Sequence, residues 1–325
     1  MTGGVQAWRI DTPRQTLVLA SDGGIPWAAY WGPALPPGTD PAAIADACHA
    51  DVTSGMIDSL PPLSLCPEAS TGFPGQPGLV LMRDGRMLQP RFALFATDGM
   101  DFTCRDDTLG LGLLFSFECV GDTIAARSVL ESDDPVTRIH LAAPVLPAPQ
   151  SGQIVDFHGR WCGEFQPVRT PWQPGARLRE ARNGRSGHEH PPLAFLTGDA
   201  TTNTQGRAHG MHYGWPGGHV MIAEELPDGR RQIQWGHARG SEPPGTRFET
   251  AQLYLSVSDS GMNSCAVAFQ RLIRDHISRP ATPRRLHYNC WEAVYFDHDL
   301  ATLRDIADRA AALGAERFVL DDGWF

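Results

Sequence analysis

The residues best equipped for chemistry lie at the C-terminal end of the sequence. In RFVLDDGWF (317–325) two adjacent carboxylates, Asp321 and Asp322, follow the apolar run Phe318, Val319 and Leu320, with Trp324 just beyond them and Trp291 upstream. An aromatic ring offers a flat apolar platform to the C–H face of a pyranose, while neighbouring carboxylates accept charge-assisted hydrogen bonds from its hydroxyls. Together they resemble a monosaccharide pocket. The same letters also read as plain turn chemistry, an Asp bonding its own backbone and a Gly supplying positive φ. A lone Trp291 is more often a core residue. The outcome depends on the elements that carry these side chains.

Those elements read as strand, helix, strand. RLHYNCW (285–291) is a short strand. In DLATLRDIADRAAALG (299–314), Asp299 is a candidate N-cap, Leu300, Leu303, Ile306, Ala307, Ala310 and Leu313 form an apolar stripe, and Gly314 supplies the stop. RFVLDD (317–322) is the second strand, its apolar members suited to an interior. Such a βαβ unit requires a parallel pair with a right-handed crossover. In parallel α/β architectures ligands sit at the carboxyl ends of strands, so Trp291 and the two aspartates would share one rim.

Upstream the period is different. From about 5 to 260 the chain reads as short strands between Gly, Pro, Asn and Asp punctuation, the pattern of a large antiparallel sandwich. LGLLFSFEC (111–119) alternates apolar with small or polar residues, and RSVLES and TRIHLAA follow as separate, turn-bounded strands. HVMIAEELPDGRRQIQWG is a hairpin about Pro227-Asp228-Gly229, and GLVLMRDGRMLQPRFALFATDG repeats the device at Asp84-Gly85. After Asn263 and Ser264, both candidate N-caps, Ala266, Phe269, Leu272, Ile273 and Ile277 fall on one helical face and Pro280 ends the helix. The expected organisation is a β-sandwich over 1–262, a linker helix over 263–283 and the start of a parallel α/β domain over 284–325.

Composition narrows the function classes. With 325 residues, 42% hydrophobic and 20% charged, the chain suits a soluble globular protein with a sizeable core, and no apolar run is long enough to span a bilayer. A net charge of -10 argues against nucleic acid or another polyanion and favours a small soluble substrate. All 27 basic residues are arginine. The N-terminal stretch lacks a basic region followed by an apolar one, so a cytoplasmic location is the default expectation. Seven scattered cysteines without a CxxC pair fit reduced, mostly buried thiols rather than disulfides or zinc. His188-Glu189-His190 puts two histidines on one strand face but has no HExxH helix or third ligand at diagnostic spacing, and with the trio His209, His212 and His219 it reads as a polar loop cluster, so no metal is expected. No dinucleotide, P-loop or GxSxG fingerprint is present, so no cofactor is expected either.

NCWEAVYFD (289–297) followed by RFVLDDGWF closely resembles the start of the catalytic barrel in α-galactosidases of glycoside hydrolase family 36, which read NxWEAxYFD and then FVLDDGWF. The likeness extends upstream through GLVLMRDGRMLQPRF, DTIAARSVLES, GRWCGEFQPVRTPWQPG (159–175), RNGRSGHEHPP (182–192), GMHYGWPGGHVM (210–221) and FQRLIRDHISRP (269–280), in the family's order. It implies a mainly β fold: a large antiparallel, supersandwich-like N-terminal domain followed by the first βαβ unit of a (β/α)8 barrel. It implies that Trp291, Asp321 and Asp322 line a galactose subsite, with Trp324 a weaker lining candidate, and that the substrate is a small α-galactoside of the raffinose or melibiose type.

The family hydrolyses with retention, using an Asp nucleophile in a KWDxN-like strand end and an Asp acid/base, both on later strands. No KWD occurs here, so no catalytic carboxylate is expected within this chain and the chain alone is expected to be inactive. An α-N-acetylgalactosaminidase or galactosyltransferase variant of the family, or a stand-alone carbohydrate-binding or assembly module, remains open, as does a homo-oligomer assembled through the sandwich. Two departures stand out. EASTGFPGQPG (68–78) replaces a YGTGDFR-like loop that reaches a neighbouring subunit's pocket, and WPGGH (215–219) replaces an SGN-type turn.

Overall fold

The computed structural model describes residues 4–48, 60–148, 151–278 and 281–324. The expected helix stop at Pro280 and the terminal Phe325 lie outside them. The described residues form two compact units, residues 1–276 and 277–325.

The first unit is a β-sandwich of antiparallel sheets. Gln6–Asp11, Gln15–Ser21 and Trp27–Pro33 make a three-stranded sheet whose middle strand is buried along its whole length. Leu146–Pro147, Arg231–His237, His219–Glu225 and Gly175–Ala181 make a four-stranded one. The largest sheet has twelve strands. Leu17 and Leu19 from the first sheet, Met221 and Trp235 from the second, and Leu113 and Phe115 from the third belong to one buried cluster. Period-two alternation explains how: along Leu111–Val120 the residues Leu111, Leu113, Phe115 and Phe117 are buried while their neighbours are at least partly exposed.

Both expected hairpins are present. Leu79–Arg83 and Arg86–Met87 flank Asp84 and Gly85, whose φ values of 50° and 73° are those of a tight twist-matched turn. His219–Glu225 and Arg231–His237 pair around Leu226–Arg230.

The expectation of two separate strands in RSVLES and TRIHLAA is corrected. A single strand runs Thr123–Leu141. Asp133-Asp134-Pro135 looks like turn punctuation, yet it marks a change of partner: pairing with Leu111–Val120 ends at Ser132 and pairing with Leu79–Arg83 begins at Thr137. Pro135 therefore sits where neither of those ladders needs its missing N–H.

The helix Met262–Leu272 also differs from expectation at its start. Gly261 (φ 79°) is the N-cap, with no side-chain cap, so neither Asn263 nor Ser264 serves. Its buried face is Met262, Cys265, Ala268, Phe269 and Leu272, whereas Ile273 and Ile277 are exposed and Ala266 is half-buried. The face packs on Ala208–Tyr213 and Leu253–Ser258. Gly210 permits that approach, since a Cβ there would lie 3.0 Å from the Cβ of Cys265.

The second unit is a βαβ unit. His287–Asn289 and Arg317–Val319 pair in parallel, connected through the helix Leu300–Ala312. Asp299 caps that helix by accepting from the Thr302 N–H at 2.8 Å. Gly314 (φ 95°) ends it, with the Gly314 and Ala315 N–H groups returning to the carbonyls of Ala311 and Ala310. Three expectations are corrected here. The strands are shorter than 285–291 and 317–322, Phe318 and Leu320 are 36% and 41% exposed rather than interior, and Leu300 and Leu313 of the apolar stripe are exposed.

Candidate functional site

Trp291 does not end a strand. The strand stops at Asn289, and Trp291 opens the one-turn helix Trp291–Val294. The cause is Asn289, whose side-chain Oδ1 accepts the Trp291 N–H at 2.8 Å and starts the turn. The turn closes at Tyr295, a bulky residue held at φ 48°. A conformation of that kind costs about 1–3 kcal/mol and is characteristic of functional loops. It is held by the Tyr295 hydroxyl donating to Glu292 at 3.0 Å and by His298 Nε2 against the Tyr295 carbonyl at 2.9 Å.

Asn289 also reaches across to the second strand. Its Nδ2 donates to Asp321 Oδ2, while Asp321 Oδ1 accepts the Asp322 N–H at 2.9 Å. Register explains the meeting. Asn289 pairs with Val319, and Asp321 lies two residues further on, returning to the same side of the chain. One amide thus ties the indole-bearing turn to the acidic doublet. Sequence reasoning quoted Asn289 within its motif but gave it no role. The signal was its place opposite the residue two before Asp321, visible only once the register is known.

The aromatic side of the cluster is equally ordered. Trp291 meets Tyr295 and Phe296 edge-on, with centroids 5.3 and 5.0 Å apart. Gly323 (φ 94°) lets the DDG loop close on this group, because a Cβ there would fall 2.8 Å from Phe296 Cδ1. Trp291 is half-buried, Asp321 likewise, and Asp322 exposed; Trp324 is 71% exposed. Among the described residues the Asp322 carboxylate has no hydrogen-bond or ion-pair partner. Asp321 does perform the turn chemistry that was the rival reading, bonding the next backbone N–H, and at the same time it is fixed by Asn289. The acceptor lone pairs of the Asp322 carboxylate are unused among the described residues.

Among the described residues no group of three or more His, Cys, Asp or Glu could hold a metal ion, and no helix is long and apolar enough to cross a membrane. The histidines of the upstream trio serve packing: His209 is buried against the Trp31 carbonyl at 3.2 Å, and burial lowers its pKa to about 4. All seven cysteines are free thiols, Cys66, Cys104, Cys265 and Cys290 buried and Cys48, Cys119 and Cys162 exposed.

Comparison with known proteins matches the chain as a whole to one family. The family profile described as the glycosyl hydrolase family 36 N-terminal domain matches residues 24–241, and the melibiase profile matches 247–325. An α-galactosidase of Escherichia coli is 32% identical over 98% of this chain and 46% of its own length. The bifunctional α-galactosidase/sucrose kinase AgaSK of Mediterraneibacter gnavus is 31% identical over 53% of this chain and 19% of its own. The chain thus spans about half the length, or less, of these curated relatives. Among solved structures, the Lactobacillus brevis α-galactosidase superposes with a TM-score of 0.84 at 20% identity, covering 100% of this chain and 49% of that one. The α-galactosidase AgaA of Geobacillus stearothermophilus, solved as a variant in complex with stachyose, gives 0.85 at 20% identity over 98% and 50%.

Proposed function

The chain belongs to glycoside hydrolase family 36, and from that membership we propose that it is the N-terminal part of a retaining α-galactosidase acting on terminal α-galactosyl residues of raffinose- or melibiose-type sugars. In this reading residues 1–262 are the sandwich domain, 263–283 a linker helix and 284–325 the opening strands of a (β/α)8 barrel. One relative, AgaA of Geobacillus stearothermophilus, solved as variants in complex with stachyose and with raffinose, supports the substrate class. The observation that carries the reading is the Asn289 bridge, which draws Trp291 and Asp321 together at the carboxyl ends of two parallel strands.

The roles follow from the chemistry. Trp291 supplies the platform for the apolar face of galactose, Asp322 accepts from its hydroxyls, and Asp321 fixes the loop and adds acceptors. Trp324 is the outermost lining residue. A site built to hydrogen-bond a hydroxyl in one configuration discriminates against the epimer, whose hydroxyl does not meet the same acceptor.

The doublet is not the catalytic pair. Retention needs two carboxyls about 5–5.5 Å apart flanking the scissile bond, whereas these two are sequential on one loop. The nucleophile and acid/base belong to later barrel strands, so the 325-residue chain should bind galactosides without turning them over. Calorimetric titration with melibiose tests this: saturable binding in the parent chain, weakened at least about tenfold in Asp322→Asn, is the expected result. Unchanged binding in that variant, or hydrolysis of p-nitrophenyl α-galactoside by the chain, would overturn the reading.

A further inference from the structure

The first unit carries a groove of about 750 Å³ that the proposed galactose subsite does not use. Its back wall is Trp215, 37% exposed, stacked on His237 with centroids 4.2 Å apart and planes at 23°. Behind them His237 meets Tyr213, which stacks on buried Trp235, so the exposed indole is the outer end of a rigid aromatic column. Backbone bonds set the walls: the Gly214 N–H donates to the Gln252 carbonyl at 2.8 Å, and the Ala251 N–H to the Tyr213 hydroxyl at 3.1 Å. The site is preformed, as small-molecule sites are.

Its charge is balanced. Arg127 and Arg247 line it together with Glu242 and Glu249. Glu249 is ion-paired with Arg127 and lies 3.3 Å from Arg247, while Glu242 is held by buried Arg138 at 2.6 Å and His237 at 3.2 Å. An anion or a cation would meet a like charge on one side of the groove. A neutral polyhydroxylated ring instead finds fixed donors and acceptors around a flat apolar face. Among the described residues, the buried Nε2 of His237 has no hydrogen-bond partner. Trp215 is the one large exposed apolar side chain of the lining, which is far short of the roughly 800 Å² per partner that a stable protein interface needs.

From this we infer that the groove is a second, non-catalytic site for an uncharged oligosaccharide, with a terminal pyranose stacked on Trp215. The inference stands on the groove's own chemistry and does not require the galactose subsite.

The test is made in the Asp322→Asn chain, so that failure of the subsite and failure of the groove are separable. Maltose and cellobiose, which carry no galactose, are titrated by calorimetry and ligand-observed NMR. Saturable binding is expected, weakened at least about tenfold by adding Trp215→Ala and largely retained with Trp215→Phe, with unchanged circular dichroism. Binding that persists in Trp215→Ala overturns the inference, as does the absence of saturable binding to both sugars. A drop in sedimentation mass on Trp215→Ala without change in sugar binding makes the groove an interface between copies, and also overturns it.

Discussion

At the scale of single residues, Asn289 and Glu68 show how position converts an ordinary side chain into a determinant. Replacing Asn289 by Ala removes the acceptor of the Trp291 N–H and the donor to Asp321 in one step. The expected result is about tenfold weaker melibiose binding with little change in melting temperature, since the lost bonds are partly solvent-exposed. Glu68 is a case of burial. Desolvation raises its carboxyl to about 7, against the Phe92 N–H bond at 2.6 Å and nearby Arg91, which favour the charged form. The folded pKa lies above the ordinary carboxyl value of 4.5, so the folded state holds the proton more tightly, and this residue's contribution falls as pH rises from 4.5 through about 7. His140 and His209 act in the opposite sense: burial lowers each to about 4, and their contribution is lost as pH falls from 6.5 toward 4. Melting curves of parent and Glu68→Gln between pH 4.5 and 7.5 should therefore converge in acid and diverge toward neutrality, with the Gln variant the more stable at the upper end. Trp291 and the aspartates could be proposed from the sequence because their motif is local. Asn289 could not, because its function depends on the register of a strand about thirty residues away.

At the scale of elements, hairpins and the capped helix could be read directly, since turn and cap chemistry is written in adjacent residues. Asp299→Ala is expected to destabilise Leu300–Ala312 by about 0.5–2 kcal/mol, measurable as faster amide exchange in that helix with the first unit unchanged. Elements defined by distant partners were misread. Asp133-Asp134-Pro135 imitates a turn, yet the strand continues because its neighbour changes there. The helix Met262–Leu272 rotates away from the face that simple periodicity selects, because Gly210 opens a slot for Cys265 and Phe269.

At the scale of the molecule, the two units differ in how much apolar surface they bury. The first contains the three-sheet core, so Leu113→Ala, which truncates a fully buried side chain, should cost about 2–5 kcal/mol and lower the first unit's thermal midpoint. The second leaves Leu286, Phe296, Leu300, Leu313 and Leu320 exposed within the described residues. Its amides should exchange faster than those of the sandwich strands, and hydrogen–deuterium exchange resolved by peptide is the check. Uniform protection across 285–324 would contradict this.

The strand Thr123–Leu141 has one more consequence, for the order of events during synthesis. Its first partner, Leu111–Val120, is made just before it and can pair at once across a two-residue connection. Its other flank waits for Gly245–Glu249 and Leu253–Ser258, more than a hundred residues later in the chain. A ribosome extending the polypeptide between those points displays a long, open strand margin for several seconds at typical elongation rates. That interval is when a nascent-chain chaperone has most to protect.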